Sequence, residues 1–198
     1  MLISFEGIDG CGKSTQIDLL KKYLESKNLK YSIFREPGGS EISEKIRALL
    51  LHDSQEMDSI TELLLFSAAR SQLIKEKVIP LLEKKEIVIL DRFYDSTTAY
   101  QGYGRKLKNL EVIQILNRLA SHSTVPDITF YLKMDPELAQ KRTAKLSKDR
   151  MENSGIDFFR SVSNGYEEIA KTEKRFVTID ASKNIQMIHS DIIRHIEF

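Results

Sequence analysis

Apolar residues fall along this chain in two patterns. Five short runs, at 2–6, 31–34, 87–90, 128–132 and 176–179, are nearly continuous in hydrophobicity and rich in β-branched and aromatic side chains. A strand with one wet face alternates apolar and polar residues, whereas a strand covered on both faces does not need to. The runs therefore predict strands of a parallel sheet lying between two layers of helix. Between them the period lengthens. "TQIDLLKKYL" (15–24) reads as an amphipathic helix. "SITE" (59–62) has the spacing of a capping box and opens a long helix through "LLLFSAARSQLIKEKVI". "DPE" (135–137) offers an N-cap aspartate with proline at the first helical position. This alternation predicts an α/β fold, doubly wound, with a five-stranded parallel sheet flanked by helices. The stretch 144–155, "AKLSKDRMENSG", is polar and weakly periodic, as expected of a surface segment able to move. With no repeat, low-complexity tract or linker in view, residues 1–198 are expected to form one domain.

Composition narrows the choice of partner. The chain has 30 Lys and Arg against 29 Asp and Glu, so no global field favours nucleic acid or a membrane surface, and any anion site must be local. No apolar run approaches the roughly 20 residues that span a bilayer. The first residues lack a basic-then-apolar leader, and the single Cys11 has no cysteine partner within the chain. A soluble, cytoplasmic protein is the expectation.

The chemistry starts at "GIDGCGKS". Gly7, Ile8, Asp9, Gly10, Cys11, Gly12, Lys13 and Ser14, followed by Thr15, lie after one predicted strand and before one predicted helix. Glycines at this spacing let backbone N–H groups turn inward around a polyphosphate, Lys13 reaches its outer phosphates, and Ser14 can ligate Mg2+. A plain strand-to-helix turn would not need Lys-Ser at those places. "IVILDRF" supplies a second half: an apolar strand delivers Asp91, a candidate for the magnesium shell, and Arg92 follows where water-activating ATPases often carry glutamate. No guanine-reading Asn-Lys-x-Asp is present. An arginine beside the magnesium carboxylate suits a second anion, and an acceptor phosphate is ionised near neutral pH, so transfer needs alignment and screening rather than a general base. A buried Asp–Arg ion pair is the alternative for "DR" alone.

"FEGIDGCGKST", "REPGG", "LLLFSAAR", "DRFYDSTTAYQGYGR", "PDITFYLKMDPE" and "IDAS" follow in this order over nearly the whole chain. The ordered set resembles the thymidylate kinase family, P-loop nucleoside monophosphate kinases that phosphorylate dTMP to dTDP with ATP. The resemblance implies ATP, Mg2+ and a homodimer. It also implies roles: Phe66 stacks on thymine and Arg70 binds its edge, four residues apart on one helix face. Glu36 and Pro37, with Arg35, line the acceptor phosphate and sugar, and Asp9 accepts from the 3′-hydroxyl. Arg92, Ser96, Thr97, Tyr100 and Gln101 complete the acceptor site, Tyr100 crowding the sugar's 2′ face. Ala181 and Ser182 lie beside adenine. From spacing alone, Phe66 as core and Arg70 as a surface charge is the favoured reading, and Arg105 is a further basic candidate for the acceptor side.

Gly10 stands where some relatives carry a loop arginine, so the resemblance is to the bacterial type, which takes its cation from a lid. Residues 141–155 supply Lys141, Arg142, Lys145, Lys148 and Arg150. Arg142 is expected near the donor and Arg150 at the transferred group, with Lys13, Arg92 and Asp9 completing the catalytic set. Cys11, beside a helix N-terminus, is expected to have a lowered pKa and to react with thiol reagents. Another small-molecule kinase on this fold, or a nucleotide-dependent switch, are the competing readings.

Overall fold

The computed structural model describes residues 1–52, 56–107, 109–144, 150–151 and 153–196. Its strands are β1 (Leu2–Glu6), β2 (Tyr31–Arg35), β3 (Ile87–Asp91), β4 (Ile128–Lys133) and β5 (Phe176–Asp180). Each begins where the apolar run begins. All but β1 continue one residue further, onto a charged side chain that the hydrophobic pattern cannot include. The pairs are parallel throughout, in the order β2-β3-β1-β4-β5. The chain starts at the central β1, moves to one edge, returns through β3 and crosses past β1 to β4. All five carboxyl ends thus share one edge, and the crevice where connections leave in opposite directions opens above β1.

Both sheet faces are covered, as the continuous runs require. Leu2, Val88 and Leu90 pack with Leu73, Ile74, Val78 and Phe93 on one side. Ile3, Phe5, Ile89, Phe130 and Leu132 join Leu20, Leu24 and Ile192 on the other. Truncating one such phenylalanine to alanine costs about 3–5 kcal/mol.

The helices are α1 (Lys13–Ser26), α2 (Glu41–His52), α3 (Ser59–Leu73), α4 (Ile79–Glu83), α5 (Tyr94–Thr97), α6 (Leu110–Ala120), α7 (Pro136–Thr143), α8 (Ile156–Thr172) and α9 (Ile185–Ile193). Asp135 caps α7 by accepting from the Leu138 N–H at 3.0 Å, with Pro136 next, as the sequence predicts. The capping box at 59–62 is corrected. α3 is capped one residue earlier by Asp58, which accepts from the Ile60 and Thr61 amides at 2.8 and 3.2 Å. Asp58 serves as well as serine, and the buried Glu62 carboxylate is drawn instead to two half-buried arginines.

The predicted long helix also widens at Ile74–Val78 into a π-helical turn. Pro80, without an N–H, cannot close the next regular bond there. A second π-helical turn, Thr98–Gly104, continues α5 and carries Tyr100 and Gln101. Of the expected lid, residues 145–149 and 152 lie outside the described residues, Lys145 and Lys148 among them.

Candidate active site

The strand β1 ends at Glu6 and α1 begins at Lys13, so 7–12 is the bend between the central strand and a helix. Gly7, Gly10 and Gly12 have φ of 136°, 83° and 98°, backbone that favours glycine. At Gly10 a Cβ would also lie 2.6 Å from the Ala139 carbonyl oxygen, so glycine lets α7 close on the loop. No side chain caps the first amides of α1. A bend of amides backed by a helix's partial positive end suits an anion. Lys13 is buried in the loop, its ammonium donating to the Gly7 and Ile8 carbonyls at 2.9 and 3.1 Å. Ser14 and Thr15 are exposed on the first helical turn, while Ile8 and Cys11 turn inward.

Cys11 corrects the expectation of a reactive thiol. Its side chain is buried beneath the loop, and burial pushes the thiol pKa up despite the nearby charges of Lys13 and Arg92. The helix N-terminus is close, but a thiolate there would be stripped of water.

Across the loop, β3 delivers Asp91 to the carboxyl edge. Asp91 is buried, and its Oδ1 has no hydrogen-bond partner among the described residues. An unsatisfied buried carboxylate oxygen beside the exposed Ser14 hydroxyl's loop fits a hard cation such as Mg2+, which takes oxygen donors and keeps several waters. Arg92 does not pair with Asp91. It bridges the loop and the acceptor side, donating to Asp9 Oδ1 at 2.7 Å, the Gly7 carbonyl at 2.9 Å, the Tyr100 hydroxyl at 3.0 Å and Ser96 Oγ at 3.2 Å. Burial alone would raise the Asp9 pKa, but Arg92 and Lys13 hold it well below the usual carboxylate range.

Arg92 itself has a φ of 72°, an uncommon conformation for a bulky residue. Glu6 secures it from below: one oxygen accepts from the Phe93 amide at 2.7 Å, and the other from Ser96 Oγ at 2.6 Å and the Tyr166 hydroxyl at 3.0 Å. Burial, with Asp95 adding to it, pushes the Glu6 carboxyl up to about 7. Sequence reasoning missed Glu6, although a charge inside an otherwise apolar central strand was a readable signal.

Asp9, Arg35, Glu36, Pro37, Phe66, Arg70, Arg92, Ser96, Thr97, Tyr100 and Gln101 all line one cavity. The residues expected on the acceptor side are therefore brought together, except Arg105, which is drawn to Glu62 instead. Phe66 is half-buried at the wall, and Arg70 is only 2% exposed, so the core-and-surface alternative is reversed for the arginine. Arg70 donates through Nε to Glu36 at 2.7 Å and through Nη1 to Thr97 Oγ1 at 2.9 Å. Glu36 Oε1 has no partner among the described residues, and burial pushes that carboxyl up to about 7 against the pull of Arg70. Arg47, Leu51 and Met151 also line the cavity and were not foreseen. Arg47 and Leu51 share a helical face four residues apart, a weak signal; Met151 gave none.

The basic residues beyond α7 divide. Lys141 and Arg142 are exposed on its last turn. Arg150, expected at the transferred group, is placed elsewhere: its Nη2 lies 2.6 Å from Glu62 Oε2, and its Nε donates to the Leu50 carbonyl at 2.8 Å. A buried carboxylate outcompetes solvent for that guanidinium. Arg105 joins the same carboxylate, its Nε at 3.1 Å, and lies over the Phe158 ring. At the far side of the edge, Ala181 is buried after β5, and Ser182 donates through its amide and hydroxyl to Asp180.

A sequence profile described as thymidylate kinase matches residues 5–192. The thymidylate kinase of Chlorobaculum parvum is 49% identical, over 98% of this chain and 94% of its own. That of Thermoanaerobacter sp. is 44% identical, over 96% of this chain and 94% of its own. The crystal structure of thymidylate kinase from Ehrlichia chaffeensis superposes with a TM-score of 0.80 at 37% identity, covering 98% of this chain and 96% of that one. With the parallel sheet, the phosphate loop and these matches over nearly its full length, the chain belongs to the thymidylate kinase family, the enzymes that phosphorylate dTMP to dTDP with ATP.

Proposed function

We propose that the cavity beside the phosphate loop is the dTMP site and that the loop itself holds the ATP polyphosphate, so that the two phosphates meet at Arg92. The observation that carries this reading is the convergence of Asp9, Glu36, Phe66, Arg70, Arg92, Tyr100 and Gln101 on a single cavity that the loop reaches through Asp9. Lys13 exchanges its two carbonyl partners for phosphate oxygens, and Arg92 spans donor and acceptor. The acceptor oxygen is already ionised, so these cations align and screen, and no base is required. Ser14 and Asp91 are the residues that would hold magnesium, which would supply charge neutralisation on the phosphates.

Arg142, free of the Glu62 cluster, is the better candidate for the donor-side cation, with Arg150 fixing the lid's base. Ala181 and Ser182 flank adenine. The chain acts as one domain over 1–198 with a lid at 141–155, in the cytoplasm, as a homodimer.

A coupled assay with Mg-ATP and a panel of monophosphates tests the reading. Arg70→Ala should raise KM for dTMP on the order of 10- to 100-fold, the loss of charge-assisted hydrogen bonds, with kcat within a few-fold. Lys13→Ala should chiefly depress kcat. Equal small effects from both would remove the assignment.

A further inference from the structure

Glu62 is a buried acid that the phosphoryl-transfer reading leaves without a task. It lies on the face of α3 that also carries Phe66 and Arg70, one helical turn apart at each step. Its side chain is 1% exposed and accepts four donors. Oε1 takes Gln101 Nε2 at 2.9 Å and Arg105 Nε at 3.1 Å; Oε2 takes Arg105 Nη2 at 3.1 Å and Arg150 Nη2 at 2.6 Å. Gln101 is itself 1% exposed and lines the acceptor cavity.

We infer that Glu62 is a specificity-setting positioning residue, which fixes the Gln101 amide so that its oxygen, not its nitrogen, is presented to the base. This rests on the reading of that cavity as the dTMP site. An amide is nearly symmetric in shape, and only its partners decide which end faces where. An ionised carboxylate can only accept, so it captures Nε2 and leaves Oε1 for the cavity. Flipping the amide would bring two acceptors together in a buried place where neither finds water. The two guanidiniums keep the carboxylate ionised: burial pushes its pKa up, but the hydrogen bonds from Arg105 and Gln101 bring it below the ordinary value.

A fixed acceptor discriminates between bases of the same shape. Thymine offers a donor at N3–H, whereas 5-methylcytosine offers a lone pair there and would face oxygen with nitrogen. Arg70, a donor toward the same edge, favours the carbonyl at position 4 for the same reason.

The test compares kcat/KM for dTMP and 5-methyl-dCMP in the full-length enzyme. Glu62→Gln can either donate or accept, so the amide loses its bias. The dTMP preference should fall at least about tenfold, the scale of one misdirected hydrogen bond, while the Gln101→Leu variant loses preference too and gains nothing more from Glu62→Gln. The paired exchange Glu62→Gln with Gln101→Glu keeps one carboxylate beside the arginines and restores a fixed acceptor. It should recover most of the preference, and it serves as the folded variant if Glu62→Gln alone does not fold.

Equal losses for both substrates in Glu62→Gln, or no recovery in the paired exchange, would overturn the inference while leaving the cavity assignment intact. An unchanged preference in Gln101→Leu would overturn both, because the base would then not be read at Gln101.

Discussion

Single residues carry the chemistry here, and two of them make a pH prediction. Glu6 and Glu36 titrate near 7 in the folded chain instead of near 4.5. Between those values the folded state holds protons that the unfolded chain has released. Stability contributed by either group is therefore complete below about 4.5 and is lost as pH rises through about 7. Asp9 acts in the opposite sense, its contribution present above 3.8 and lost as pH falls. At about 1.4 kcal/mol per pH unit, each raised carboxyl is worth at most about 3 kcal/mol across its window. Glu6→Gln removes one such titration and keeps an acceptor for the Phe93 amide. Urea unfolding at about pH 5 and about pH 8 should show the variant gaining on the wild type as pH rises. A difference that stays flat would mean Glu6 is ionised in the native state. At this scale the residues that gather at the cavity were legible, because most of them fall within the motifs. Glu6 and Glu62 were not, because their task is to hold other residues, and only folding reveals which: Glu62 passed for a helix cap until α3 packed against Arg105.

Elements were legible wherever the hydrophobic period was unbroken, which is why every strand starts at its apolar run. The two π-helical turns escaped, since one extra residue in a helical turn leaves the local pattern almost unchanged. The turn at 98–104 matters most, because it swings Tyr100 and Gln101 into the cavity while α8 packs against its back. That packing depends on Gly165. A Cβ there would lie 2.8 Å from two carbons of the Tyr103 side chain. Two effects compete in Gly165→Ala: better helix propensity stabilises by about 1 kcal/mol, and overpacking costs about 1–3 kcal/mol. Contacts of this length place the clash at the upper end, so the variant should be less stable by about 1–2 kcal/mol in urea. A rise in stability would show that α8 and the turn can move apart freely. Because Phe158 and Tyr166 of α8 reach Tyr100 through ring contacts, the same change should weaken dTMP binding more than ATP binding.

The whole molecule presents an apolar surface that its own core does not use. Ile42 and Leu49 on α2, Ile60 and Leu64 on α3, and Val112, Ile115 and Leu119 on α6 are exposed, the last two by 60% and 71%. α3 packs beside both α2 and α6, which gathers these side chains on neighbouring helices. A monomer rarely leaves a large apolar patch wet, and a patch that pairs with its own copy makes a two-fold dimer. Ile115→Glu with Leu119→Glu places two charges on that surface and disturbs no buried group. Light scattering should find the wild type at twice 22.8 kDa and the double variant at 22.8 kDa; a wild type already monomeric at micromolar concentration would remove the interface. The consequence reaches the site, because α3 has two working faces. Leu64 looks outward while Phe66 and Arg70 line the cavity and Glu62 holds Gln101 beside it, so a partner pressing on one face stiffens the other. The monomeric variant should therefore show a raised KM for dTMP with KM for ATP nearly unchanged, and a wild type raised in KM by dilution should recover at higher protein concentration while the variant does not.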